Sequence, residues 1–264
     1  MEKFAFGENW ASYSERFDLQ DYLSAKKNLE SLIPNIKNKT FLDIGCGSGL
    51  HSIAASALGA AKVVGFDADS QCVETSKKLL EKISGQVKDI KKDAIVFKVQ
   101  SIFDRDLNDE RFDIVYSWGV LHHTGNMYKA FDAVCNLVKE EGTLVLAVYN
   151  KYFTSPLWKA VKYTYVKSPR FVKKILIGLG VIRFSLAALL LTGKIPFRGE
   201  RGMHFYTDIV DWIGGYPYEY ASEKEVTNFF TERGFRLRTF IKAPGGTGCN
   251  QFVFDRISNA KSSH

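Results

Sequence analysis

The sequence predicts an α/β fold built on a doubly wound sheet, and three observations carry that prediction. Short apolar runs alternate with helix-periodic stretches through the first 150 residues. The first of those runs, Thr40–Gly45, is too short for a helix and is ended by glycines, as suits a strand buried on both faces of a parallel sheet. Beyond residue 221 a capped helix and two more strand-like runs close the chain.

Taken in order, a helix is expected over 24–33, leading into the strand Thr40–Gly45. A small-residue helix follows at 49–59, then the strand KVVGFD at 62–67. The next helix, 70–83, has Val73, Leu79 and Leu80 at helical spacing. Strands at 94–99 and 112–117, a helix at 126–139 and a strand at 143–149 continue the alternation. Ser222–Gly234 opens on the capping box S-E-K-E and stops on glycine. Phe235–Ile241 and Gln251–Arg256 read as a hairpin on the sheet edge, joined by GGTGCN at 245–250.

Composition narrows the function classes. The 264 residues are 45% hydrophobic, 25% charged and 14% aromatic, which excludes a disordered tail protein, a collagen-like repeat and a polytopic membrane protein. Cys46, Cys72, Cys135 and Cys249 are widely spaced with no C-x-x-C pair, so neither a zinc site nor a redox motif is expected, and no metal is assigned. The opening MEKFAFGENWASYSERF has acids and no apolar core, so no secretory leader is expected and the cytoplasm is the expected compartment. The formal charge of +7 is concentrated. Residues 151–203 hold eleven Lys or Arg against Glu200 alone, a net +10 that leaves −3 for the rest of the chain.

The chemistry-bearing motif is Asp43-Ile44-Gly45-Cys46-Gly47-Ser48-Gly49-Leu50 at the end of the first strand. Alternate glycines let the backbone pass close under a nucleoside and turn into a helix. The second strand ends in Gly65-Phe66-Asp67, placing an acid where it can accept from a ribose diol. That spacing fits either a dinucleotide or S-adenosylmethionine. Leu50 stands where the dinucleotide fingerprint needs glycine, and Asp43 suits a cationic amino-acid moiety better than a pyrophosphate. The fourth strand continues Phe112-Asp113-Ile114-Val115-Tyr116-Ser117-Trp118-Gly119-Val120-Leu121-His122-His123.

Together D-I-G-C-G-S-G, Asp67 and F-D-I-V-x-S-x-x-V-L-H-H resemble the class I S-adenosylmethionine-dependent methyltransferases, in the style of the ubiquinone/menaquinone-biosynthesis small-molecule group. The likeness covers about residues 38–150. It implies a Rossmann-like seven-stranded sheet with an antiparallel last strand, and S-adenosylmethionine at the carboxyl ends of the first two strands. By resemblance Asp43, Gly45, Gly47 and Gly49 line the methionine and ribose side, and Asp67 binds the ribose hydroxyls. Ser101 and Ile102 stand where that family holds the adenine, with Ser101 in place of the acid many relatives carry; Ser117 and Trp118 face the reactive end.

His122 and His123 lie at the rim where ligands bind in open α/β sheets, as candidates for a general base or for shaping the pocket. The expected organisation is an N-terminal helical cap (1–37), a cofactor-binding core (38–150 and 222–256), a basic helical insertion or lid after the fifth strand (151–221) and a flexible tail (257–264). Phe6–Trp10 is read as folding back over the cofactor. Within the insertion, Ile175–Leu191 is apolar nearly all round with Arg183 near its middle, so it is expected to be buried against protein or sunk in a membrane interface rather than to span one. The bases and aromatics of 158–198 suit a closing lid, an anionic membrane surface, or both, which makes a peripheral membrane location a second expectation.

From Arg201 to Glu219 polar and aromatic side chains are dense. His204 and Asp208 are candidates for orienting or deprotonating an acceptor. Tyr206, Asp211, Trp212, Tyr216 and Tyr218, with Asn250 from the hairpin, are candidates for binding it. The expected function is methyl transfer to a small-molecule or lipid-linked acceptor, at an oxygen of a quinone-precursor or glycan type. N- or C-methylation of a metabolite and RNA methylation are the alternatives. Nucleic acid is disfavoured as a partner because the fourth strand leads into Ser117-Trp118-Gly119-Val120 and not the [DN]-P-P-[YF] turn of base methylators.

Overall fold

The computed structural model describes residues 7, 17–104, 110–194, 205–243 and 248–258, apart from the side chains of Leu191, Thr192, Thr207, Asp208 and Asp211. Helix α1 (Leu19–Leu32) precedes β1 (Thr40–Ile44), α2 (Leu50–Ala57), β2 (Lys62–Asp67) and α3 (Ser70–Ser84). Then come β3 (Ile95–Val99), β4 (Phe112–Trp118), α4 (Met127–Leu137) and β5 (Val138–Tyr149). Three helices follow, α5 (Ser155–Lys167), α6 (Arg170–Thr192) and α7 (Phe205–Gly214). The chain closes with α8 (Glu223–Thr231), β6 (Phe235–Ile241) and β7 (Cys249–Arg256).

The described strands form one seven-stranded sheet in the order β3-β2-β1-β4-β5-β7-β6. β1 pairs parallel with β2 and with β4, and β7 runs antiparallel to both β5 and β6. The strand order reverses between β1 and β4, so a crevice opens at their carboxyl ends, the ligand position of a doubly wound sheet. One hydrophobic layer joins α1, α2 and α3 to one face of the sheet, through residues such as Leu29, Ile53 and Leu79. A second joins α4 and α8 to the other face through Phe131, Phe230 and Phe254.

Several expected boundaries shift. α1 begins at Leu19, five residues earlier than expected, because Asp18 caps it and exchanges a capping box with Asp21. The helix expected to 139 stops at Leu137, since Val138 already pairs with Phe112 of β4. The strand expected from 143 therefore begins at Val138. β7 starts at Cys249, where it pairs with Tyr149 of β5.

The described residues of 151–221 make a small helical unit with its own core of Tyr165, Ile209 and Ile213. α6 crosses α7 so closely at Gly180 that a Cβ there would run into Ile213. Only one side of α6 is covered; Ile175, Leu179, Ile182 and Leu186 point outward, so of the two expected settings burial against protein accounts for one face alone. The reason is the register: Leu176, Ile177, Val181 and Phe184 face the small core, and the rest of the apolar run is left outside it. Among the described residues no helix is long and apolar enough to cross a membrane. The likewise expected 257–264 tail lies largely outside the described residues, as does the N-terminal cap except for Gly7 and 17–37.

Candidate active site

β1 ends at Ile44 and the chain turns through Gly45, Gly47 and Gly49, all at positive φ. The N–H groups of Gly45 and Cys46 both donate to the carbonyl of Phe66, at 2.8 and 3.0 Å, which ties the turn to the end of β2. At Gly45 a Cβ would stand 2.5 Å from the Val120 methyls, and at Gly49 it would stand 2.7 Å from the Phe97 ring and 2.8 Å from Ser76. Glycine is therefore required at both positions for the turn to pack against these side chains. Gly49→Ala combines a left-handed backbone with a clash against two fixed neighbours, so it is expected to cost roughly 2–4 kcal/mol of stability. Urea unfolding of the variant measures that loss.

Two carboxylates frame the turn. Asp67 accepts from Gly47 N–H at 3.1 Å and from Asp69 N–H at 3.0 Å, so the glycine turn itself holds it in place. Burial raises its pKa, and those two N–H groups partly offset the rise. Asp43 is buried beneath the turn and accepts from the Ser52 hydroxyl at 2.7 Å. Desolvation, with a smaller push from the charge of Asp67, raises its pKa to about 7 against the pull of Ser52. An acid this frustrated is completed by a cation. On the far side Gly7 N–H donates to Asp69 at 3.0 Å, so this residue of the expected N-terminal cap meets the rim beside Asp67.

Ser101 opens the turn after β3, where its N–H donates to Asp104 at 2.8 Å and its hydroxyl accepts from Phe103 N–H at 3.2 Å. Ile102 beside it is buried. Asp104 thus brings a carboxylate to the turn where the acid was missing from position 101. Ser117 is buried and donates to the carbonyl of Ile44 at 3.3 Å, bracing β4 against β1. Trp118 stacks on Tyr116 at 5.8 Å, and Tyr116 in turn lies 5.1 Å from the ring of His51.

Past Val120, which covers Gly45, the chain reaches the histidine pair. The Pro217 carbonyl lies 2.7 Å from Nδ1 of His123, so that nitrogen donates and the lone pair rests on Nε2. Nδ1 of His122 accepts from Tyr149 N–H at 3.3 Å, so its proton sits on Nε2, a buried atom with no hydrogen-bond partner among the described residues. Burial, then the neighbouring positive charge of Lys162, pushes the His123 pKa down to about 3. His122 is driven well below the usual imidazole range by burial, then by His123 and Lys162. Both rings are neutral at physiological pH, and neither is a strong base.

Lys162 is fully buried. Its Nζ lies 4.5 Å from the ring of Trp212, 5.0 Å from Tyr218 and 5.2 Å from Tyr149. Tyr149 completes the group, 4.0 Å from His122 and 4.9 Å from Tyr218. Burial raises the Tyr218 pKa to about 12, so this ring stays a neutral phenol.

The structure therefore gathers His122, His123, Trp212 and Tyr218 into one cluster. Tyr216 stands apart with its ring against Tyr163 at 5.5 Å, and Tyr206 is exposed on α7. Asn250 is buried and engaged with the protein, accepting from Ala243 N–H at 2.9 Å and donating to Asn150 at 3.0 Å. His204 and the side chains of Asp208 and Asp211 lie outside what is described. Sequence reasoning counted Lys162 with the solvated bases and missed both it and Tyr149. The available signal was the spacing of Trp158, Lys162 and Tyr165, which share one face of α5.

Comparison with known proteins gives the family and the fold. Residues 35–176, more than half of the chain, match the family described as "Methyltransferase domain", and the chain belongs to that family. A putative methyltransferase of Invertebrate iridescent virus 6 is 31% identical over 139 residues, 52% of this chain and 47% of that protein. The mitochondrial ubiquinone biosynthesis O-methyltransferase of Dictyostelium discoideum is 29% identical over 117 residues, 43% of this chain and 36% of that protein. The chain spans about half, or less, of the length of these curated relatives. Magnesium protoporphyrin IX methyltransferase of Synechocystis PCC 6803, solved with SAH bound, superposes with a TM-score of 0.54 at 14% identity, covering 91% of this chain and 88% of that one. That likeness establishes the fold.

The class is that of the S-adenosylmethionine-dependent methyltransferases of class I, with S-adenosylmethionine as cofactor. The residues present fit it. The turn carries no side chain at Gly45, Gly47 or Gly49, Asp67 is held beside it at the end of β2, and the buried Asp43 lies beneath it, so these residues would hold the nucleoside and the cationic end of that cofactor.

Proposed function

We propose that this methyltransferase acts on an ionisable hydroxyl of a small-molecule or lipid-linked acceptor, the quinone-precursor type rather than the glycan type. The observation that supports this reading is the buried side chain of Lys162, its Nζ set among three aromatic rings beside two neutral imidazoles. S-adenosylmethionine supplies an already activated methyl group when bound, so the protein's task is to orient the acceptor and present its oxygen as a nucleophile. Neutral histidines of depressed pKa are poor at removing a proton from an ordinary alcohol. A buried cation lowers the pKa of a hydroxyl placed near it and favours the oxyanion. His122 Nε2–H adds a donor to the same region, and Trp212, Tyr218 and Tyr149 offer flat apolar walls suited to a ring. Val120 links this wall to the cofactor turn by lying against Gly45.

The test follows methyl label from the donor into phenols of graded acidity, into alcohols and into total RNA. Phenols are the expected products, and the variant Lys162→Met should lose about 100-fold in kcat/KM with an unchanged Kd for S-adenosylmethionine. Label appearing in RNA, or a Lys162→Met variant as fast as the parent on phenols, overturns the reading.

A further inference from the structure

The outer side of α6 is an apolar strip with charged margins. Phe171 is 66% exposed, Leu179 and Ile182 59%, and Leu190 85%, with Ile175, Leu186 and Leu189 exposed between them. At the α-helical turn of about 100° per residue these seven side chains fall within an arc of about 100°. The strip is about 28 Å long by the helical rise. No described residue covers it. On one margin stand the exposed Arg170 and Lys174, and on the other the exposed Arg183, whose guanidinium lies over Trp158 at 5.4 Å. Residues 150–194 contain nine Lys or Arg and no Asp or Glu.

We infer that α6 lies flat in the interface of an anionic lipid bilayer, its apolar strip among the acyl chains and its basic margins on the headgroups. Three observations select this occupant. A soluble helix rarely leaves a contiguous stripe of large apolar side chains to water, which marks a docking surface. The chain cannot cross a bilayer on this helix, so the strip must be satisfied side-on. A second copy meeting the same face in two-fold fashion would bring the bases of both chains together, whereas anionic lipid complements them. The inner side of α6 is fixed to α7 at Gly180 and to the core of Tyr165, Ile209 and Ile213, so the strip is held on a rigid support. The inference is independent of which acceptor is methylated.

Co-sedimentation of the full chain tests it. Vesicles of mixed phosphatidylglycerol and phosphatidylcholine should pellet the protein at low salt, vesicles of phosphatidylcholine alone should pellet it at least about tenfold less, and high salt should release it. The double variant Leu179→Glu/Leu186→Glu should lose about tenfold or more of the binding, and Arg170→Glu/Lys174→Glu should lose its preference for anionic lipid. Both substitute outward-facing side chains, so melting temperature and S-adenosylmethionine affinity should match the parent and report an intact fold. Equal pelleting with neutral lipid, full binding by Leu179→Glu/Leu186→Glu, or a concentration-dependent dimer that this variant abolishes would each overturn the inference.

Discussion

Replacement of Asp67 by alanine is expected to weaken S-adenosylmethionine binding by at least about 100-fold. A carboxylate facing a diol makes two charge-assisted hydrogen bonds, each worth about 1.5–3 kcal/mol. Losing both accounts for roughly two to four orders of magnitude in Kd. The variant also removes the acceptor for Gly47 N–H and Asp69 N–H, so the turn loses its brace. Asp67→Asn separates these effects. Its amide oxygen can still receive Gly47 N–H, so it should retain more of the apo stability while still losing affinity for the diol. Titration calorimetry of the three proteins, with apo melting curves beside it, reads both quantities. An alanine variant with the parent's Kd would remove the cofactor site from this turn.

The second large effect concerns Asp43, whose pKa in the folded protein is pushed up to about 7 from the ordinary 3.8 of a free aspartate. Between those two values the folded chain holds a proton that the unfolded chain has released. Folding stability contributed by this group therefore falls as pH rises from about 4 to about 7, and is level beyond. The loss is at most about 4 kcal/mol, from three pKa units at about 1.4 kcal/mol each. Asp43→Asn keeps the hydrogen bond from Ser52 and abolishes the charge. The apo variant should thus melt higher than the parent at pH 8 and no higher at pH 4, while binding S-adenosylmethionine far more weakly. In the parent, a cation at this site favours the ionised carboxyl, so affinity should rise about tenfold per pH unit from 5 towards 7. The difference between parent and variant cancels the opposite contribution of His122 and His123. Parallel melting curves across that range would refute the argument.

Most of the sheet was legible in the sequence, because its strands were short apolar runs alternating with helix-periodic stretches. The seven-stranded sheet with its antiparallel last strand was implied by the resemblance that the motif between Asp43 and Leu50 and the acid at position 67 carry, while the strand order came from the structure. Helix α1 was harder, since its cap is Asp18 with Asp21 rather than a serine with glutamate, and the expected start slipped past it. The junction of α4 and β5 was hidden because Val138 can complete a helix as well as open a strand, and its pairing with Phe112 decides the matter. The aromatic cluster was only half visible. Aromatic density pointed to Trp212 and Tyr218, but the sole local mark of Lys162 was its place on one face of α5 with Trp158 and Tyr165. The neighbours that α7 and the end of β5 bring to it decide its burial.

The neck of the helical unit has a further meaning. Lys151 N–H donates to the Ala221 carbonyl and Ala221 N–H to that of Tyr149, both at 3.0 Å, so entry and exit are clasped at a single point. Glu219 reinforces the clasp by giving its N–H to the His122 carbonyl at 3.0 Å. Both ends of the segment are thus anchored beside one another at the end of β5, so a change in its length need not reregister a strand, while Pro217 and Lys162 still tie its interior to His123 and Tyr149.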